Sequence, residues 1–175
     1  MDNRITIIPL EEKHITNRYL DWFNSDKVIQ FSGAGKKHLT KDNVLEYINK
    51  GIKTEQYYMY AIIHTENNLH IGNIKIGVID KVNNISDLAT IIGDTEYWGK
   101  GLATEAKILG QNFAFEKFNF RKLSGTILAD NIGSLKAYQK AGWVQERLLK
   151  SQITIGVIHH DQIIISKFNP TIFIK

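Results

Sequence analysis

The segment Ile91-Ile92-Gly93-Asp94-Thr95-Glu96-Tyr97-Trp98-Gly99-Lys100-Gly101-Leu102-Ala103-Thr104-Glu105 decides the fold. It reads as an apolar strand end, a short polar turn, a glycine-spaced loop and the first turn of a helix. Gly99 and Gly101 let main-chain N–H groups come close to an anion. The helix opening there adds unpaired N–H donors and the positive end of its dipole. Those are the physical requirements for gripping a phosphate.

Downstream, a helix is expected over residues 101–118, with Leu102, Ala106, Leu109 and Phe113 as its buried stripe. Residues 123–129 alternate as a strand does. Asp130-Asn131 can cap a short helix carrying Leu135, Tyr138 and Ala141, which Gly142 stops. Residues 143–149 and 162–168 read as the last two strands, with His159-His160-Asp161 in a loop between them.

Upstream, residues 57–63, 69–79 and 85–93 read as a meander of strands with polar turns at Thr65-Glu66-Asn67-Asn68 and Val82-Asn83-Asn84. Thr40 is placed to cap a helix striped by Val44, Leu45, Ile48 and Ile52. Ile15, Tyr19, Trp22 and Phe23 share one helical face. Residues 28–31 are short and apolar, and Ser32-Gly33-Ala34-Gly35 reads as loop. Residues 4–8 form a first strand, stopped by Pro9. The expected fold class is α/β (α+β): one domain over residues 1–175, with a mixed, mostly antiparallel central sheet flanked by helices.

Composition narrows the function. The chain has 175 residues, 43% of them hydrophobic, enough to bury a core, and a net charge of +4. Zero cysteines exclude disulfides, thiolate metal sites and a thiol nucleophile. His159-His160 are adjacent, poor spacing for one ion, so no metal is expected. Residues 1–10 lack a basic region followed by an apolar run, and no apolar run approaches the ~20 residues of a membrane helix. A cytoplasmic protein without a membrane partner is expected. Lys36-Lys37 is too short a basic cluster for nucleic acid. A dinucleotide fold would place a third glycine where Thr104 stands.

Trp98-Gly99-Lys100-Gly101-Leu102-Ala103-Thr104-Glu105-Ala106, followed by Asn131-Ile132-Gly133-Ser134-Leu135-Lys136-Ala137-Tyr138-Gln139-Lys140-Ala141-Gly142-Trp143, resembles the GNAT superfamily of acyl-CoA N-acyltransferases. Together with Asp21-Trp22-Phe23-Asn24-Ser25-Asp26-Lys27-Val28, it is most similar to the RimJ/RimL-like branch. Trp98 stands where that family commonly has Gln or Arg.

The resemblance implies acetyl-CoA as co-substrate. Main-chain N–H groups of Gly99, Lys100, Gly101, Leu102, Ala103 and Thr104 would hold its diphosphate, with Trp98 leading the motif. Ile91, Ile92 and Gly93 would pair with pantetheine as an added strand does. Asn131 and Ser134 would contact the cofactor further along, and Tyr138 would stand near the thioester sulfur. Many relatives pair through terminal strands, which implies a homodimer.

The chemistry needs three services. The leaving thiolate needs a proton, which a tyrosine hydroxyl can supply at neutral pH; Tyr138 is the candidate. The carbonyl oxygen needs a donor, for which the Ile92 N–H is the candidate. The amine must be neutral, and Asp87 is the candidate base, against the reading of a surface aspartate on a strand edge. His70, His159 and His160 are further candidates for proton relay, and Glu105 reads as structural. Direct transfer in a ternary complex follows from the missing thiol.

The acceptor pocket is expected over residues 19–53, with Trp22, Phe31 and Tyr57 as contacts. Lys36, Lys37, Lys41, Lys50 and Lys53 among few acids favour a small anionic amine, such as an amino sugar or its nucleotide-linked form, over a polycation. A protein α-amino group is the alternative acceptor, and a non-catalytic acyl-CoA-binding module the alternative function.

Overall fold

The computed structural model describes residues 3–31 and 38–172. Lys36, Lys37 and the Ser32-Gly33-Ala34-Gly35 loop lie outside the described residues.

Among the described residues, seven strands form one sheet: β1 (Ile5–Pro9), β2 (Tyr58–His64), β3 (His70–Asp80), β4 (Ile85–Ile92), β5 (Lys122–Leu128), β6 (Val144–Ile155) and β7 (Ile158–Phe168). Five α-helices accompany them among the described residues: α1 (Asn17–Trp22), α2 (Asp26–Ile29), α3 (Lys41–Thr54), α4 (Leu102–Phe118) and α5 (Ile132–Lys140). The strand order is β1-β2-β3-β4-β5-β7-β6. All neighbours are antiparallel except β4 and β5, which α4 connects as a parallel crossover. The expected mixed, mostly antiparallel sheet is what forms.

Alternation along the strands sorts the core onto two faces. Ile62, Ile74, Ile76 and Leu88 pack with Leu102, Ala106, Ala114 and Phe115 of α4 and with Tyr138 of α5. Ala61 and Ile63 pack on the other face with Tyr19 and Trp22 of α1, Val28 of α2, and Val44 and Ile48 of α3. Thr40 caps α3 as expected, accepting from the Asn43 N–H at 3.2 Å.

Three boundaries differ from the sequence reading. Residues 26–29 close a helical turn. His159, His160 and Asp161 belong to β7, because Gly156, at φ +62°, turns the hairpin earlier. The buried stripe of α4 also includes Lys107, Gly110 and Gln111, while Leu109 and Phe113 are only partly covered.

The feature that makes the site is a splay. β4 pairs with β5 only at Ile85–Lys122, Ser86–Leu123 and Asp87–Ser124. Beyond Asp87 the two strands part, and residues 88–92 of β4 border a gap.

Candidate active site

Two adjoining cavities occupy the splay. One, of about 420 Å³, is lined by Thr90, Ile91, Ile92, Gly99, Gly101, Ala103 and Lys107, with Asn131 and Ser134 across from them. The other, of about 480 Å³, is bordered by Phe23, Met59, Lys75, Asp87, Gly125 and Tyr138. Val28, Phe31, Thr90, Ile91, Asn131 and Ser134 line both, so the two communicate.

At one end of the first cavity lies the glycine loop. Gly99 and Gly101 have φ of +75° and +81°, the left-handed region where a Cβ is strained. Gly101 is the N-cap of α4 and has no side-chain cap. Among the described residues, none of the main-chain N–H groups of residues 99–103 has a hydrogen-bond partner. The Thr104 N–H differs: it donates to the Gly101 carbonyl at 3.0 Å and is spent on the helix turn. A row of unpaired amides at a 17-residue helix N-terminus suits a linked diphosphate.

Trp98 explains its departure from the motif. Its indole N–H donates to the Ile92 carbonyl at 2.8 Å, latching the loop to the end of β4. Arg4, unremarked in the sequence, holds the loop from below. It donates to the Lys100 carbonyl at 2.9 Å and forms an ion pair with Glu105 at 3.0 Å. Glu105 also accepts from the Arg4 N–H at 2.7 Å, so it ties α4 to β1.

The β4 edge presents donors to the gap. The Gly93 N–H donates to the Ile71 carbonyl, which makes the next pair, Gly72–Ile92, one whose polar groups point outward. The N–H and C=O of Ile92 therefore face away from β3. Trp98 takes the carbonyl, and the N–H faces the splay.

Tyr138, on α5, has its hydroxyl at the same edge. The O–H donates to the Leu88 carbonyl at 3.0 Å, the first carbonyl after β5 departs. Its ring packs edge-on against Trp143 at 4.9 Å. Burial raises the phenol above the ordinary tyrosine range, and the negative charge of Asp87 adds to this. The nearby Thr90 hydroxyl opposes the shift, yet its Oγ1 is buried without a formed hydrogen bond. Asn131 caps α5, accepting from the Ser134 N–H at 3.1 Å.

Asp87 is exposed at the rim of the second cavity, where its carboxylate accepts from the Ser124 hydroxyl at 2.7 Å. Phe31 lines both cavities.

Trp22 and Tyr57 require correction, because neither lines either of these two cavities. Trp22 is 5% exposed and packs under the turn at Gly93, where an added Cβ would stand 2.1 Å from its indole. Tyr57 is 8% exposed, donates to the Tyr47 carbonyl at 2.8 Å, and lies beneath the Lys75 ammonium at 4.6 Å. Both support the site from below. Gly93→Ala is thus expected to overpack against Trp22 and cost about 1–3 kcal/mol of stability, read as a lower melting temperature.

The histidines also differ from expectation. His70 is wedged among His14, Tyr19 and Trp22 and bonds to Gly72 and Asn73 oxygens at 2.9 Å. Burial lowers its basicity. His160 pairs with Asp130 at 2.7 Å, and His159 with Thr154 at 3.0 Å. None of the three lines either of the two cavities. No cluster of metal-ligating side chains occurs among the described residues, and none of their helices is long and apolar enough to cross a membrane.

Lys107 joins the site from α4. It is 2% exposed, lines the first cavity, and holds its Nζ 4.2 Å above the Tyr138 ring centroid. Lysine at a helical position ordinarily signals solvent, and nothing in the sequence marks this one as buried.

Comparison with known proteins agrees with this geometry. The acetyltransferase (GNAT) domain model matches residues 4–144. The probable N-acetyltransferase YjcK of Bacillus subtilis is 23% identical over 150 residues, covering 86% of this chain and 82% of that protein. The fold is shared with a spermidine N-acetyltransferase from Vibrio cholerae, solved with CoA and spermine. Its TM-score is 0.86 at 18% identity, over 95% of this chain and 96% of that one. A GNAT-family acetyltransferase from Bacillus anthracis superposes with a TM-score of 0.79 at 18% identity, over 94% and 95% of the two chains. The chain belongs to the GNAT acetyltransferases and is an acyl-CoA-dependent N-acetyltransferase, with acetyl-CoA as its co-substrate.

Proposed function

We propose that this enzyme transfers acetyl directly from acetyl-CoA to the primary amine of a small, anionic acceptor such as an amino sugar or its nucleotide-linked form. The unpaired amides of residues 99–103 carry the cofactor half of this reading. They take the diphosphate, Ile91 to Gly93 pair with pantetheine along the open β4 edge, and Asn131 and Ser134 border it opposite. The Ile92 N–H donates to the thioester carbonyl oxygen. Asp87 receives the proton the amine gives up, directly or through water. The amine nitrogen bonds to the carbonyl carbon, the C–S bond breaks, and the Tyr138 hydroxyl turns from Leu88 to give its proton to sulfur. Tyr138 then regains a proton from solvent.

The lining of the second cavity favours the acceptor class. Its described charged side chains are one carboxylate, Asp87, and one ammonium, Lys75. A molecule with one amine and one anionic group matches that pair, whereas a polyamine calls for several carboxylates. The spermidine N-acetyltransferases of the same fold make polyamine the sharpest competitor. A homodimer would form at β6, the edge strand, which exposes Val144 and Leu148.

Thiol release from acetyl-CoA is the test, with amino-sugar phosphates, a nucleotide-linked amino sugar, a peptide α-amine, spermidine and no amine compared. The fastest turnover is expected with an anionic amino sugar. Asp87→Asn should lower kcat/KM for that acceptor by about 10–100-fold. Spermidine as the best acceptor would overturn the acceptor class. CoA binding without release to any amine would favour a binding module.

A further inference from the structure

One turn along α4 from Lys107, the buried polar side chain of Gln111 is fully provided for. It accepts from the Trp143 indole at 2.7 Å and donates to the Ala141 carbonyl at 3.3 Å. Lys107 is equally buried and has neither a hydrogen bond nor an ion pair among the described residues. Among the described residues, its charged end meets the face of the Tyr138 ring. A cation held over a phenol face is attracted to the ring, and more strongly to the ring of a phenolate.

We propose that Lys107 is a positioning residue for the transfer step: its ammonium, seated on the ring of Tyr138, stabilises the phenolate left when Tyr138 gives its proton to the departing sulfur. This rests on Tyr138 acting as the acid. The geometry compensates a difficulty of that role, since burial makes the phenol a poorer acid than free tyrosine. A cation on its ring works in the opposite sense without engaging the hydroxyl, which turns from Leu88 to sulfur. The O–H bond of Tyr138 breaks, an S–H bond forms, and Lys107 keeps its own protons throughout.

The groups facing Lys107 leave its charge unsupported. α5 presents the neutral phenol, and α4 presents Gln111. Glu105 of α4 is committed to Arg4, and Asp130, which shares the cavity, pairs with His160. Burial alone therefore acts on Lys107 and pushes it down to about 7. Above that pH the ammonium is lost, so turnover should fall as pH rises from about 7.

The test follows thiol release from acetyl-CoA, to the accepting amine or to water, between pH 6 and 10. Unsubstituted enzyme, Lys107→Met, Lys107→Arg, Tyr138→Phe and the Lys107→Met/Tyr138→Phe double variant are compared. Lys107→Met is expected to lower kcat about tenfold or more at pH 6.5, leave KM for acetyl-CoA within about threefold, and lose the falling alkaline limb. Lys107→Arg, whose charge does not titrate, should keep activity and carry it to higher pH. In the Tyr138→Phe background, Lys107→Met should add no further loss.

Lys107→Met should also melt higher than the parent at pH 6. The native parent holds a buried ammonium below pH 7, and this penalty fades as pH rises toward the ordinary lysine range. The 15N shift of the Lys107 amine in the unsubstituted protein supplies a reading that needs no variant, with a midpoint expected near 7. A midpoint below about 6, which leaves the amine neutral through the working range, overturns the proposal. So does Lys107→Met with parental kcat and an unchanged alkaline limb, or a further loss added in the Tyr138→Phe background. Full activity in Tyr138→Phe would instead remove Tyr138 as the acid, and the proposal with it. A collapse in Tyr138→Phe without one in Lys107→Met removes Lys107 alone.

Discussion

Gly101→Asp is expected to weaken acetyl-CoA binding at least about 100-fold, roughly 3 kcal/mol, while leaving the protein folded. Gly101 sits at φ +81° as the N-cap of α4, so any Cβ there is strained. The nearest heavy atom to that Cβ would be Arg4 Nη2 at 3.6 Å, so the carboxylate does not clash with the core. It would instead occupy the N-terminus of α4, hydrogen-bond to the amides meant for the diphosphate, and repel phosphate. Titration calorimetry with CoA, beside a far-UV spectrum, separates lost binding from lost fold. Unchanged affinity would mean that the cofactor is held elsewhere.

The second large effect belongs to Tyr138→Phe. Removing the hydroxyl should lower kcat by about 10²-fold or more and leave KM for acetyl-CoA nearly unchanged, because the group acts on the departing sulfur. The Leu88 carbonyl also loses its donor, at a cost of about 1 kcal/mol of stability. Since burial raises the phenol, Tyr138 stays protonated from pH 6 to 10 and sets no limb of the pH profile. Steady-state kinetics across that range check this. A kcat within a factor of about two of the parent would remove Tyr138 from the reaction.

How much of this was legible in the sequence varied with the residue. The glycine loop was, because left-handed turns and close approach of main chain leave a direct mark in Gly99 and Gly101. Asn131 was, because caps carry their own residue types. The strands and the mixed, mostly antiparallel character of the sheet followed from period-two alternation and turn residues.

The splay was not legible. Where β5 leaves β4 after Ser124 is a matter of tertiary packing, and the outward-facing groups of Ile92 depend on it. Trp22 and Tyr57 misled because an aromatic on an apolar face looks the same whether it meets a ligand or supports a strand end. His159 and His160 read as loop because polar residues at a hairpin rim resemble a turn. Lys107 was not legible either: its side chain signals solvent by type, and only the packing of α4 against α5 reveals it buried over the phenol ring.

The most direct test of the whole account is a crystal structure of the enzyme with acetyl-CoA. The diphosphate should lie on the main-chain N–H groups of residues 99–103, pantetheine along residues 91–93, and the sulfur within hydrogen-bonding reach of the Tyr138 hydroxyl. A cofactor bound with that loop empty, or with its sulfur distant from Tyr138, would contradict it.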